Sequence, residues 1–200
     1  MRPLIYYVAT SLDGCIAHHD GTWDGFIGEG AHAEEYVAWM RSCSAVVMGR
    51  ATYEIAPKMG IVDPYPYLET YVFSRTLAPV NHPNVHVIRD DAPAYLAAMK
   101  QRPAANGSTA PIYFAGGGAF AASILAAGLI DEIIVKLNPF LMGNGIRITE
   151  ALPSIVPLEL TATKTYTNGV LLLTYRPTPI PAARSSPSGK TPGATPTSAP

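Results

Sequence analysis

Charge is scarce in this chain. Asp, Glu, Lys and Arg make up 14% of its 200 residues and leave a formal net charge of −1. Such a balance creates no field that would gather nucleic acid or an anionic membrane, and Lys and Arg form no long run. Cysteine is rarer still: Cys15 and Cys43 are the only two, they lack metal-site spacing, and they are expected as free thiols. Long apolar runs are missing as well. No segment reaches membrane-spanning length, and the opening Met1 to Val8 is too short, too β-branched and too aromatic for a secretion signal. These absences predict a cytoplasmic protein that handles a small molecule, with neither nucleic acid nor membrane as partner. One absence is local: from Leu12 to Met40 there is no Lys or Arg, against the acids Asp13, Asp20, Asp24, Glu29, Glu34 and Glu35. That imbalance favours a neutral or cationic ligand in whatever this segment lines.

What is present is a 48% hydrophobic chain long enough for one well-buried domain. Strand-like runs cover Leu4 to Thr10, Ala45 to Met48, Thr70 to Ser74, Val85 to Ile88, Ile112 to Ala115 and Glu132 to Leu137. Helical patterns lie between several of them: Ala33 to Ser42, a short one after Arg50, Ala92 to Gln101, and Ala119 to Ala127 closed by Gly128. Leu158 to Tyr166 and Val170 to Arg176 flank Thr167-Asn168-Gly169 and read as a hairpin. The alternation predicts an α/β fold with one mixed, mostly parallel sheet flanked by helices and ending in a C-terminal antiparallel hairpin. Composition changes at Pro177: seven of the 19 prolines lie from there to Pro200, among Ser, Thr and Ala. Residues 1–176 are therefore expected to be the folded domain and 177–200 a disordered tail.

Three of the strand-like runs end alike, in Gly49-Arg50-Ala51-Thr52, Ser74-Arg75-Thr76 and Gly116-Gly117-Gly118. Small residues and positive charge where a strand gives way to a helix or loop leave backbone N–H groups unpaired and accessible, which suits a phosphate. Neighbouring strand ends would bring the three together in one crevice. The rival is a Rossmann fingerprint at Gly116-Gly117-Gly118-Ala119-Phe120-Ala121. It belongs after a first strand and wants an acid about 20 residues on, whereas Val135-Lys136-Leu137 stands there.

Ala9-Thr10-Ser11-Leu12-Asp13-Gly14, Val47-Met48-Gly49-Arg50-Ala51-Thr52, Ser74-Arg75 and Gly116-Gly117-Gly118, taken in this order, resemble the dihydrofolate reductase superfamily. They are most similar to the reductase domain of the bifunctional riboflavin-biosynthesis deaminase-reductase. The likeness runs from about residue 3 to 176 and implies a dihydrofolate-reductase-like domain with NADPH as hydride donor. By the same resemblance Gly49, Arg50, Thr52, Gly116, Gly117, Gly118 and Ala119 would hold the pyrophosphate, Ser74 and Arg75 the adenosine 2′-phosphate, and Ala9 and Ile16 would border the nicotinamide. The reducible ring would lie near the acidic segment, a 5-amino-6-(5-phosphoribosylamino)uracil-like or pterin-like molecule. The resemblance also implies a homodimer, with Leu137 to Met142 as apolar contact surface or ordinary core.

Several assignments stay open at this point. A carboxylate of Glu35, Glu34 or Asp13 could bind an amidine-like edge and favour protonation beside the carbon receiving hydride. Trp23, in a Gly-rich loop, is the better ring-stacking candidate, and Trp39 reads as core. A substrate phosphate would need Arg41 or Lys58, the nearest cations. Neighbouring His18 and His19 point apart in extended chain, so no metal is expected. The second functional class is a non-catalytic nucleotide-binding or sensor protein on the same fold, favoured by the want of an unmistakable proton donor.

Overall fold

The computed structural model describes residues 1–179. Eight strands form one sheet in the order β5-β4-β3-β6-β1-β7-β10-β9. They are β1 (Leu4–Thr10), β3 (Ala45–Gly49), β4 (Glu69–Phe73), β5 (Val85–Ile88), β6 (Ile112–Gly116), β7 (Glu132–Leu137), β9 (Leu158–Thr165) and β10 (Leu171–Pro177). The first six run parallel, and β10 and β9 join antiparallel beside β7. The expected fold class is the observed one. Two short strands that sequence periodicity cannot register, β2 (Cys15–Ala17) and β8 (Ile146–Arg147), pair separately.

β1 lies inside the sheet and is apolar on both faces, as parallel strands covered on both sides must be. Its Leu4, Tyr6 and Val8 join one core with Ala121, Ile124 and Leu125 of α5 (Gly118–Ala126) and Leu96 and Met99 of α4 (Ala92–Gln101). Its Ile5 and Tyr7 face the other way, toward Tyr36, Trp39 and Met40 of α1 (Ala31–Ser42). α4 starts where its sequence says it should: Asp91 caps it by accepting from the Ala94 N–H, and Pro93 occupies the first turn, where no N–H is required. After Arg50 two four-residue helical turns follow, α2 (Arg50–Tyr53) and α3 (Ile55–Lys58).

The end of the sheet opposite the strand carboxyl termini is fixed by charges with partners. The buried Arg2 donates to the carbonyls of Met99 and Arg102 and to Ser44 Oγ. Lys100, also buried, meets Asp131 at 2.6 Å, and Asp131 accepts from the Leu4 N–H. A charge can be buried only with such compensation. β10 takes in Pro177, paired with Leu158, and the Thr178 N–H donates to the Pro157 carbonyl, so ordered chain passes the boundary drawn after Arg176. Residues 180–200, the rest of the expected tail, lie outside the described residues. β9 closes the sheet on the far side, with all eight residues exposed. Among the described residues no helix is long and apolar enough to cross a membrane.

Candidate functional site

Parallel strands aim their carboxyl ends at one edge of the sheet. There the chain reverses direction in the strand order, passing from β1 over β6 to β3, which is where such sheets hold ligands. A cavity of about 930 Å³ opens at this edge. The breaks after β3 and β6 border it: Gly49, Arg50, Thr52, Gly117, Gly118 and Ala119 all line it, with Phe73 and Phe120. Ala9, Ile16 and the rings of Tyr7, Trp23, Phe26, Tyr36 and Tyr113 line it too. Near this edge the β3–β6 register shifts between Val47 and Met48, so that Met48 pairs with Gly116.

The glycine cradle has a backbone reason. Gly117 is the N-cap of α5 with φ 72°, and no side chain caps the helix, so its first N–H groups are left to other partners. A Cβ on Gly117 would stand 3.2 Å from Thr52 Oγ1, filling the space between the two breaks, while one on Gly118 would collide with the Arg147 carbonyl oxygen. Gly116 is a step behind the cavity wall: it turns the chain at φ 91° against the Tyr6 ring and does not line the space. Ser74 and Arg75 follow Phe73 just outside the lining. Ser74 Oγ accepts from the N–H groups of Thr76 and Leu77, and Arg89 donates to the carbonyls of Arg75 and Leu77. The loop is thus built from contacts that leave the exposed Arg75 guanidinium unengaged among the described residues.

The three acids singled out for proton donation lie elsewhere. Asp13 accepts from Ser11 Oγ and from the N–H groups of Met142 and Gly143; these bonds hold its carboxyl well below the usual carboxylate range, so it staples two loops as an anion. Glu35 is held low by Lys164 at 2.7 Å and by the Tyr166 hydroxyl, on the side of α1 that meets the hairpin. Glu34 borders a shallow surface groove with Val37 and Arg41. None of the three lines the cavity: Asp13 is tied to the Met142–Gly143 loop, and α1 turns to the cavity the face of His32, Ala33 and Tyr36 rather than that of Glu34 and Glu35. Glu35→Gln is accordingly expected to lower the melting temperature by loosening α1 from the hairpin, which thermal melts of both proteins will show.

Trp23 is at the cavity, 48% exposed, whereas Trp39 packs on Tyr7 and Tyr113 in the core. Of the two cations considered for a substrate phosphate, Lys58 lines the cavity and Arg41 lies over the Tyr67 ring on the surface. His18 pairs with Asp24 and His19 with Asn144. Both cysteines are buried and free, and burial pushes the Cys43 thiol up to about 12. In the apolar segment after β7, Asn138 is buried and Phe140 packs edge-on to Phe26, while Leu141 is exposed.

Among the lining residues that were not foreseen, two carry polar side chains on α1 and β7. His32 is 1% exposed, and neither ring nitrogen has a hydrogen-bond partner among the described residues. Lys136, on β7 beside Ala9, donates to the Ile27 carbonyl. The sequence held a signal for each: Lys136 is the lone cation in the apolar run Ile133 to Leu137, and His32 falls four residues before Tyr36 on one helix face. Burial and the nearby Lys136 push the His32 pKa down from the ordinary 6.5, with Glu35 opposing. The unfolded chain then binds a proton near 6.5 that the folded chain refuses, so stability falls as pH drops below that value. Thermal melts from pH 7 to 5 should show a steeper loss in the parent than in His32→Phe.

The family described as the RibD C-terminal domain matches residues 2–172. The uncharacterized protein YwjB of Bacillus subtilis (strain 168) is 34% identical over 176 residues, covering 86% of this chain and 96% of its own. Among solved structures, a Shewanella sp. PV-4 protein assigned to riboflavin biosynthesis superposes with a TM-score of 0.74 at 24% identity, over 88% of this chain and 99% of that one. Dihydrofolate reductase from Enterococcus faecalis, complexed with NADP(H) and RAB-propyl, shares the fold with a TM-score of 0.59 at 17% identity, over 88% and 96%. With that span matched in sequence and the cavity at the sheet edge accounted for, the chain belongs to the RibD C-terminal domain family.

Proposed function

We propose that the protein is an NADPH-dependent reductase that delivers hydride to a C=N or C=C bond of a small heterocycle or sugar imine. One observation carries this reading: a single cavity joins the glycine cradle of β3 and β6 to an aromatic-walled space beside Ala9 and Ile16. Gly49, Arg50, Thr52, Gly117, Gly118 and Ala119 would hold the pyrophosphate, and Ser74 and Arg75 an adenosine 2′-phosphate. NADPH, when bound, supplies the hydride. The chain's own share is to stack the ring against Tyr7, Trp23 or Tyr36, to orient it and to exclude water. Lys58, exposed on the cavity wall, suits a phosphorylated substrate of the riboflavin-pathway kind. A homodimer belongs to the same reading, with the exposed Leu141 in its contact surface.

Titration of NADPH fluorescence, followed by loss of dihydronicotinamide absorbance across a panel of pyrimidine and pterin substrates, tests it. Micromolar binding and turnover of at least one ring are expected; no NADPH binding would overturn it. Binding without turnover would favour the second reading, a nucleotide-binding sensor. The placement of Asp13, Glu34 and Glu35 outside the cavity is the observation on that side.

A further inference from the structure

We propose that His32 and Lys136 form a paired donor at the substrate end of the cavity that receives an oxygen edge of the incoming ring, a carbonyl or enolate, and discriminates against an amidine edge. The inference rests on the functional reading above for the word substrate, and on the following geometry for everything else.

His32 is nearly solvent-inaccessible on the cavity wall, yet both its ring nitrogens lack partners. Buried polar atoms are almost always hydrogen-bonded, so an orphan pair in a residue of the cavity wall asks for a ligand atom. The ring does not swing freely: it stands edge-on to Tyr166 with centroids 5.5 Å apart, and Tyr166 is itself tied through its hydroxyl to Glu35. Lys136 reaches the same space from β7. An ammonium carries three N–H donors, and Lys136 commits one, to the Ile27 carbonyl. Ile27 is held from its other side as well, its N–H donating to Asn138 Oδ1. The loop leading into α1 is thereby fixed, which sets His32 and Lys136 relative to each other.

Around His32 the titratable and charged groups are Lys136 on β7, Glu35 one turn along α1, and Tyr166 at the hairpin. Glu35 is spent on Lys164 and Tyr166, so this corner offers a ligand the free N–H groups of Lys136 and, from the neutral imidazole, one N–H donor and one acceptor nitrogen. A ring edge of carbonyl oxygens, above all one carrying negative charge, satisfies these donors; an amidinium brings further donors and a like charge. Of the neutral or cationic ligand expected from the acidic composition of Leu12 to Met40, this corner keeps the neutral choice, adds the anionic one and disfavours the cation.

Isothermal titration with two planar rings of equal size decides the matter, barbiturate presenting an anionic oxygen edge and 2,4-diaminopyrimidine an amidine edge, each with and without NADPH. Barbiturate is expected to bind at least tenfold more tightly. His32→Phe, which keeps the contact with Tyr166, and Lys136→Met should each weaken barbiturate tenfold or more, leaving NADPH affinity within twofold. Lys136→Arg, which restores donors, should recover most of the loss, a recovery that a purely loop-pinning lysine shared with both rings would not show selectively. The proposal is overturned if 2,4-diaminopyrimidine binds equally or better, if neither ring binds, or if both removals leave barbiturate unchanged. A parent that fails to bind NADPH but still selects barbiturate would strike down the reductase reading and leave the donor pair standing.

Discussion

Gly117→Val should abolish NADPH binding in a protein that still folds. Gly117 sits at φ 72°, where an L-residue is strained and a β-branched one most of all, at a cost of about 1–3 kcal/mol. A domain of ordinary stability, on the order of 5–15 kcal/mol, survives such a loss. Binding does not, because the added carbons stand against Thr52 Oγ1 in the gap where two breaks would close on a pyrophosphate. Gly118→Ala makes the contrast. Its Cβ meets the Arg147 carbonyl oxygen, so its first effect is on the fold, read as a fall in melting temperature. Fluorescence titration and circular-dichroism melts on both variants separate the two; a folded Gly117→Val that binds NADPH like the parent sinks the cradle.

Arg75→Ala should erase most of the preference for NADPH over NADH that is expected of the parent. A hydrogen bond to a charged group contributes about 1.5–3 kcal/mol, so the parent is expected to favour NADPH roughly 10- to 100-fold. The variant should lose it by weakening NADPH while leaving NADH nearly unchanged. Because Ser74 Oγ and Arg89 support the loop through its backbone, removing the Arg75 side chain takes away a guanidinium without collapsing its mount. Salt should narrow the preference in the parent and not in the variant, since the residue is exposed. Four dissociation constants decide it: an NADH-preferring parent, or equal weakening of both cofactors, removes Arg75 from the role.

The parallel sheet was legible because its strands are short β-branched runs set off by Gly, Pro and helical periodicity, and α4 announced itself by Asp91 and Pro93. The glycine breaks after β3 and β6 were legible for a related reason: a break after a strand is a local event, and locality is what one sequence displays. The surroundings of Glu35, Glu34 and Asp13 were not legible, because composition says neither which face of α1 meets the cavity nor which distant loop Asp13 ties down. The hairpin, over a hundred residues away, claims Glu35 through Lys164 and Tyr166, and the Met142–Gly143 loop claims Asp13. His32 and Lys136 escaped notice for the converse reason. Each gives only a faint signal in its own element, and only the fold brings strand and helix together.

The exposure of β9 along its whole length bears on how the molecule breathes. An edge strand held by one neighbour opens at far lower free energy than β1, which is paired on both sides and buried on both faces. Amide exchange should therefore be fastest in Leu158 to Thr165 and slowest in Leu4 to Val8. When β9 lifts away it takes Lys164 with it and frees Glu35, and with Tyr166 loosened beside it His32 loses the edge contact that shields it. Fraying of the last hairpin thus loosens the mount of the imidazole, and deuterium uptake in β9 reports how often that happens.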